Sequence, residues 1–216
     1  MGDDERNRMS TVHIPAGNVE LDGELVLPSS AKGVVLFAHG SGSSRFSPRN
    51  THVAEVLQQR GIATLLFDLL TRGEDSNYET RFDIDLLTRR LLAATAWLQA
   101  APKTKSLSLG YFGASTGAAA ALQAAAKMGG KISAVVSRGG RPDLAGADAL
   151  RRVTAPTLLI VGSADYEVIA LNRQADALLN CEKQLVLIPG ATHLFEEPGT
   201  LQQAAHSAAD WFVHHL

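Results

Sequence analysis

Short apolar runs alternate along the chain with stretches whose apolar residues fall at helical spacing. Val12–Pro15 and Val19–Leu27, separated by Ala16-Gly17-Asn18, read as an antiparallel strand pair. Six further runs follow: Val34–Ala38, Ile62–Phe67, Ser106–Phe112, Ile132–Ser137, Ala155–Gly162 and Gln184–Pro189. The run at Ala155–Gly162 is continuously apolar, as expected of a parallel strand covered on both faces. Between the runs, Ser47-Pro48 reads as an N-cap and first helical turn, with Val53, Val56 and Leu57 as the buried stripe. Ile84, Leu87, Leu91, Ala94 and Leu98 mark a helix over Phe82–Gln99, and Thr116–Met128 is rich in alanine, the best helix former. Further helices are expected over Ala170–Leu179 and Leu201–His215, the last burying Leu201, Ala204, Ala205, Ala208, Trp211 and Phe212. This strand–helix alternation predicts an α/β fold, a mostly parallel eight-stranded sheet between two helical layers.

Composition narrows the class. With 216 residues, 45% of them hydrophobic, the chain can bury one substantial core and fits a single domain over 11–216, with 1–10 expected to be mobile. Net charge is −2, and no concentrated basic patch marks a nucleic-acid partner. Arg89-Arg90 and Arg151-Arg152 read as solvated faces. The single Cys181 excludes an internal disulfide and reads as packing beside the last strand. The charged start lacks a signal-peptide core, and Arg6 breaks the myristoylation pattern. No apolar stretch approaches a membrane span, so a cytoplasmic protein is expected.

The chemistry centres on Gly113-Ala114-Ser115-Thr116-Gly117, between a strand-like run and the alanine-rich helix. A serine flanked by small residues at a strand-to-helix turn is a nucleophile elbow: strained backbone presents the hydroxyl, and side chains at the flanking positions would collide with strand and helix. Downstream, Asp165 falls at the tip of the Ala155–Gly162 run, and His193 in the loop after the last strand. Catalytic groups of open α/β sheets collect at that carboxyl edge. Serine needs an adjacent base, so His193 would take the Ser115 proton while Asp165 orients the imidazole. The Thr116 N–H, directly after the nucleophile, and the Ser41 N–H, in the loop His39-Gly40-Ser41-Gly42, are the expected oxyanion donors.

These four segments together resemble the dienelactone-hydrolase-like group of the α/β-hydrolases, over nearly the whole chain from about residue 12. Asp68 also stands where such hydrolases often carry an aspartate after an early strand. Dienelactone hydrolases proper use cysteine where this chain has Ser115, which separates it from the dienelactone substrate but not from ester hydrolysis. Many α/β-hydrolases insert a cap after the sixth strand. Here only Arg138-Gly139-Gly140-Arg141-Pro142-Asp143 and a short helical piece intervene, which predicts a capless, open site for short acyl esters or lactones.

Other residues carry two readings. His39 suits a brace of the oxyanion loop more than a base. Asp143 is the alternative acid to Asp165. Glu196 and Glu197 read as the start of the last helix, and His206, His214 and His215 as solvent-facing. Arg138, at the active-site end of a central strand, either holds a substrate carboxylate or pairs with Asp143 or Asp165. Gly40 and Gly42 are candidate substrate contacts. No cofactor is implied, and no His/Cys/Asp cluster has metal-ligand spacing. A thioesterase or acyltransferase would use the same triad, and a silent scaffold would bind a ligand or partner without turnover.

Overall fold

A computed structural model describes residues 7–216. Eight strands form one sheet: β1 (Asn7–Ala16), β2 (Val19–Pro28), β3 (Gly33–Ala38), β4 (Ala63–Phe67), β5 (Ser108–Ala114), β6 (Ala134–Arg138), β7 (Thr157–Gly162) and β8 (Lys183–Ile188), in the order β1-β2-β4-β3-β5-β6-β7-β8. The β1–β2 and β2–β4 pairings are antiparallel and all others parallel. Strand β1 starts at Asn7, five residues before the expected Val12, because the whole of β2 offers it a partner, in register from Asn7 opposite Pro28 to Ala16 opposite Val19. Residues 7–10 are thus strand, and the rest of the expected mobile segment lies outside the described residues.

The helices are α1 (Pro48–Gln59), α2 (Arg72–Asp75), α3 (Ile84–Ala100), α4 (Thr116–Met128), α5 (Ala147–Arg152), α6 (Tyr166–Leu178) and α7 (Thr200–His215). Caps place their starts. Ser47 accepts the Asn50 N–H ahead of Pro48, and Asp83 accepts the Leu86 N–H ahead of α3. The predicted stripe of α3 is buried throughout. One core layer packs α3 and α4 on the sheet, with Leu36, Leu65 and Tyr111 beneath them. The other packs α1 and α7, through Val53, Leu57, Ala205 and Phe212, against Val35 and Phe112. Alternate residues of β3 and β5 therefore point into opposite layers, the reason these strands read as unbroken apolar runs. Between β6 and β7 there is only a 3-10 turn, Pro142–Ala145, and the six-residue α5, with no cap domain. No helix among the described residues is long and apolar enough to cross a membrane.

Three expectations about charged residues need correction. Arg90 is not solvated: it is buried, donating to the Ala16 carbonyl at 2.9 Å and pairing with Glu74. It ties α3 to the end of β1 and to the capping box that Glu74 forms with Thr71. Glu196 and Glu197 precede α7 instead of starting it, since Gly199, at φ 79°, caps that helix. The His215 side chain is mostly buried, its ring 4.5 Å from that of Trp211.

Candidate active site

The elbow is built by backbone crowding. Ser115 adopts φ 51°, ψ −123°, a conformation that costs a non-glycine residue about 1–3 kcal/mol. Neighbours over-determine it: its N–H donates to the Arg138 carbonyl at 3.4 Å, and its carbonyl accepts from Arg141 and Ala118 at 3.0 and 3.1 Å. The flanking glycines are required by space. A Cβ at Gly113 would stand 2.7 Å from the Ala118 nitrogen, and one at Gly117 2.6 Å from the His39 carbonyl oxygen. The helix can therefore start directly over the end of β3 only because nothing projects there. Thr116 opens α4, so its N–H belongs to the first turn, whose donors have no intrahelical acceptor.

The candidate acid and base, Asp165 and His193, meet across two loops. Asp165 Oδ2 lies 2.7 Å from His193 Nδ1, leaving Nε2 as the ring's other nitrogen for the cleft. Asp165 is mostly buried, while the His193 side chain is 41% exposed. The loops are stitched together by Ser163 N–H to the Ile188 carbonyl and Ala164 N–H to the Ala191 carbonyl, both 2.9 Å. Gly162 permits this approach, because a Cβ there would sit 2.7 Å from the Thr192 carbonyl oxygen. Its place at a strand end was the available signal in the sequence. Glu197 accepts from the Thr192 N–H and hydroxyl, clamping the residue before His193, and those hydrogen bonds hold its carboxyl below the usual carboxylate range. Asp143, the alternative acid, is engaged by Arg141 in a two-pronged pair at 2.8 and 3.0 Å.

His39 is a brace. Its Nε2 accepts the Leu69 N–H at 3.0 Å and its Nδ1 lies 3.0 Å from the Gly40 carbonyl, which fixes a neutral ring with the proton on Nδ1. Burial pushes its pKa down. Beside it, Asp68 accepts the Arg45 N–H at 2.7 Å and pairs with the Arg45 guanidinium, so the loops after β3 and β4 are joined twice.

Ser115, His193, Gly40, Ser41 and Arg138 line one cleft of about 170 Å³. Gly40 packs on Ser115, where a Cβ would fall 3.0 Å from that of the serine. Gly42 does not line this cleft: at φ 67° the chain turns away, toward the Arg81 guanidinium. Arg138 makes neither of the ion pairs expected of it, because Asp143 and Asp165 are committed to Arg141 and His193. Arg49, Asn50 and Phe195 also belong to this neighbourhood, and nothing in their sequence context marks them.

Comparison with known proteins agrees with this architecture. A family model described as an alpha/beta hydrolase domain matches residues 31–213. The crystal structure of a dienelactone hydrolase from Anabaena variabilis is similar at a TM-score of 0.95 and 56% identity, covering 98% of this chain and 99% of that one. Proteins of two Mycobacterium tuberculosis strains, provisionally named phosphoribosyl transferases, are 58% identical over 209 residues. That match takes in 97% of this chain but 47% of theirs, so the chain spans about half the length of these curated relatives. Est1E from Butyrivibrio proteoclasticus, at 16% identity and a TM-score of 0.81, shares the fold. With the family model extending from β3 to the last helix and a dienelactone hydrolase matching from end to end, the chain belongs to the α/β-hydrolase family and is dienelactone-hydrolase-like.

Proposed function

We propose that the protein is a serine hydrolase that cleaves short carboxylic esters or lactones through an acyl-enzyme. The observation that carries this reading is that His193, held by Asp165 at 2.7 Å, shares a cleft with a serine on a strained elbow. His193 takes the Ser115 hydroxyl proton as the oxygen attacks the carbonyl carbon, and Asp165 steadies the imidazolium that forms. The N–H groups of Thr116 and Ser41 receive the developing oxyanion. His193 then protonates the departing alkoxide, and water resolves the acyl-enzyme by the same steps in reverse. A cleft of about 170 Å³ without a cap favours a small acyl group.

The phosphoribosyl transfer in the name of the curated relatives fits this site less well. Those proteins hold as much chain again outside the match, and a serine–histidine–aspartate arrangement is suited to acyl transfer. The deciding experiment is hydrolysis of p-nitrophenyl esters of increasing acyl length by wild type and Ser115→Ala, with mass spectrometry for an adduct on Ser115. Turnover that favours short chains and vanishes in the variant is expected. Turnover that persists in Ser115→Ala would overturn the assignment.

A further inference from the structure

The first turn of α1 carries no acidic residue, although the positive end of a helix dipole favours one. Arg49 stands there instead, a placement its own helix opposes. Its carboxylate neighbour, Glu196, is 3.9 Å away and mostly exposed. Facing this turn is Arg138, 6% exposed. Its Nη2 donates to Asn50 Oδ1 at 3.2 Å, while Nη1 is buried without a hydrogen-bond partner. The rings of Phe112 and Phe195 lie 5.7 and 5.9 Å from its guanidinium carbon, and Phe195 is held at φ 55°. Rings and an amide offset part of a buried charge, but none supplies a full negative one. No carboxylate among the described residues pairs with Arg138. Burial, and then the charge of Arg49, pull its pKa down to about 10, which leaves it a cation at neutral pH. Ser47, Arg49, Asn50 and Arg138 line the Ser115 cleft, and among the described residues no aspartate or glutamate lines it.

We propose that the N-terminus of α1, with Arg49, Asn50 and Arg138, is a subsite for a compact oxyanion group of the substrate, carboxylate or phosphate, a few bonds from the scissile carbonyl. Two cations and a helix dipole converge there, and among the described residues the only carboxylate paired with either cation is the mostly exposed Glu196, 3.9 Å from Arg49, so an incoming oxyanion completes the arrangement. The guanidinium fork matches either oxyanion, and the Ser47 hydroxyl, which accepts the Asn50 N–H, still has a proton to donate. The small cleft keeps the anion close to the reacting carbon. The position of that carbon rests on the ester-hydrolase reading. The anion site itself does not.

Two measurements separate these. The first is isothermal titration of Ser115→Ala with inorganic phosphate and, separately, acetate, at fixed ionic strength with chloride as the reference. Saturable binding that weakens about tenfold or more when Arg138→Met is added is expected. The second is the ratio of kcat/KM for p-nitrophenyl hydrogen succinate over p-nitrophenyl butyrate, and for p-nitrophenyl phosphonoacetate over p-nitrophenyl acetate. At least one ratio should exceed about ten in wild type and fall about tenfold in Arg138→Met, and the larger ratio names the oxyanion. Because each ratio is taken within one protein, a partly folded preparation cancels. Arg49→Gln, on a partly exposed side chain, should lower the same ratio about threefold and serves if Arg138→Met does not fold. Binding no stronger than chloride, or ratios that neither substitution moves, overturns the subsite. Arg138-dependent binding of phosphate or acetate without turnover of any ester keeps the subsite and overturns the hydrolase reading.

Discussion

Replacing His39 by phenylalanine tests how the loop after β3 is held. The ring is 5% exposed and joins two loops, accepting the Leu69 N–H and donating to the Gly40 carbonyl. Phenylalanine keeps the approximate volume and deletes both hydrogen bonds. The Leu69 N–H lies in a fully buried residue, so losing its acceptor costs about 1–3 kcal/mol, and the Gly40 bond adds about 1. The expected loss is about 2–4 kcal/mol of unfolding free energy at pH 7.5, read by urea denaturation. A pH signature accompanies it. Burial keeps the folded imidazole neutral below its ordinary value, so between the two pKa values the unfolded chain binds the extra proton. Stability contributed by this neutral ring is therefore present above pH 6.5 and is lost as pH falls. Between pH 7.5 and 5.5 the wild type should lose up to about 1.4 kcal/mol more than His39→Phe, the other histidines cancelling in the difference. Catalytic turnover should fall as well, since Gly40 and Ser41 would lose their anchor. A stability loss below about 0.5 kcal/mol with no pH-dependent difference would refute the brace.

His193→Ala should abolish ester turnover as fully as Ser115→Ala, Asp165→Asn should retain a residue roughly 10⁴-fold below wild type, and Asp143→Asn should leave kcat near wild type in the same assay. Gly117→Ala should destabilise the fold by about 1–3 kcal/mol or more in chemical denaturation, because the new Cβ meets backbone carbonyls at the end of β3 that cannot rotate aside. Thr95→Val should cost about 1–3 kcal/mol in the same measurement: Thr95 already donates to the Leu91 carbonyl, so the buried Tyr111 hydroxyl, 2.7 Å away, would lose its acceptor.

Strand and helix positions were legible in the sequence wherever one face or both faces must be apolar. Strands β3 and β7 read as continuous runs because helices cover both sides, and the α3 stripe emerged at helical spacing because its other face is wet. The ends were less legible. Strand β1 gained residues 7–11 from pairing with β2, and α6 begins at Tyr166, four residues ahead of Ala170, directly after Asp165. Such boundaries are set by partners distant in sequence, which local periodicity does not register.

The order serine, aspartate, histidine at three strand ends was in the chain itself, because the parallel topology forces consecutive strand tips to one edge. So was the need for Gly113 and Gly117, a steric requirement of a turn only five residues long. Whether Asp165 or Asp143 meets His193 needed the folded molecule: both follow parallel strands, and only geometry shows Arg141 holding Asp143 and His193 holding Asp165. The fate of the arginines was decided there too. In one dimension Arg90 reads as solvated and Arg138 as either a substrate holder or an ion-pair partner, yet packing buries both, giving Arg90 a carboxylate and Arg138 none among the described residues. Charge pairing depends on distances across the fold, and those exist only once the sheet has assembled.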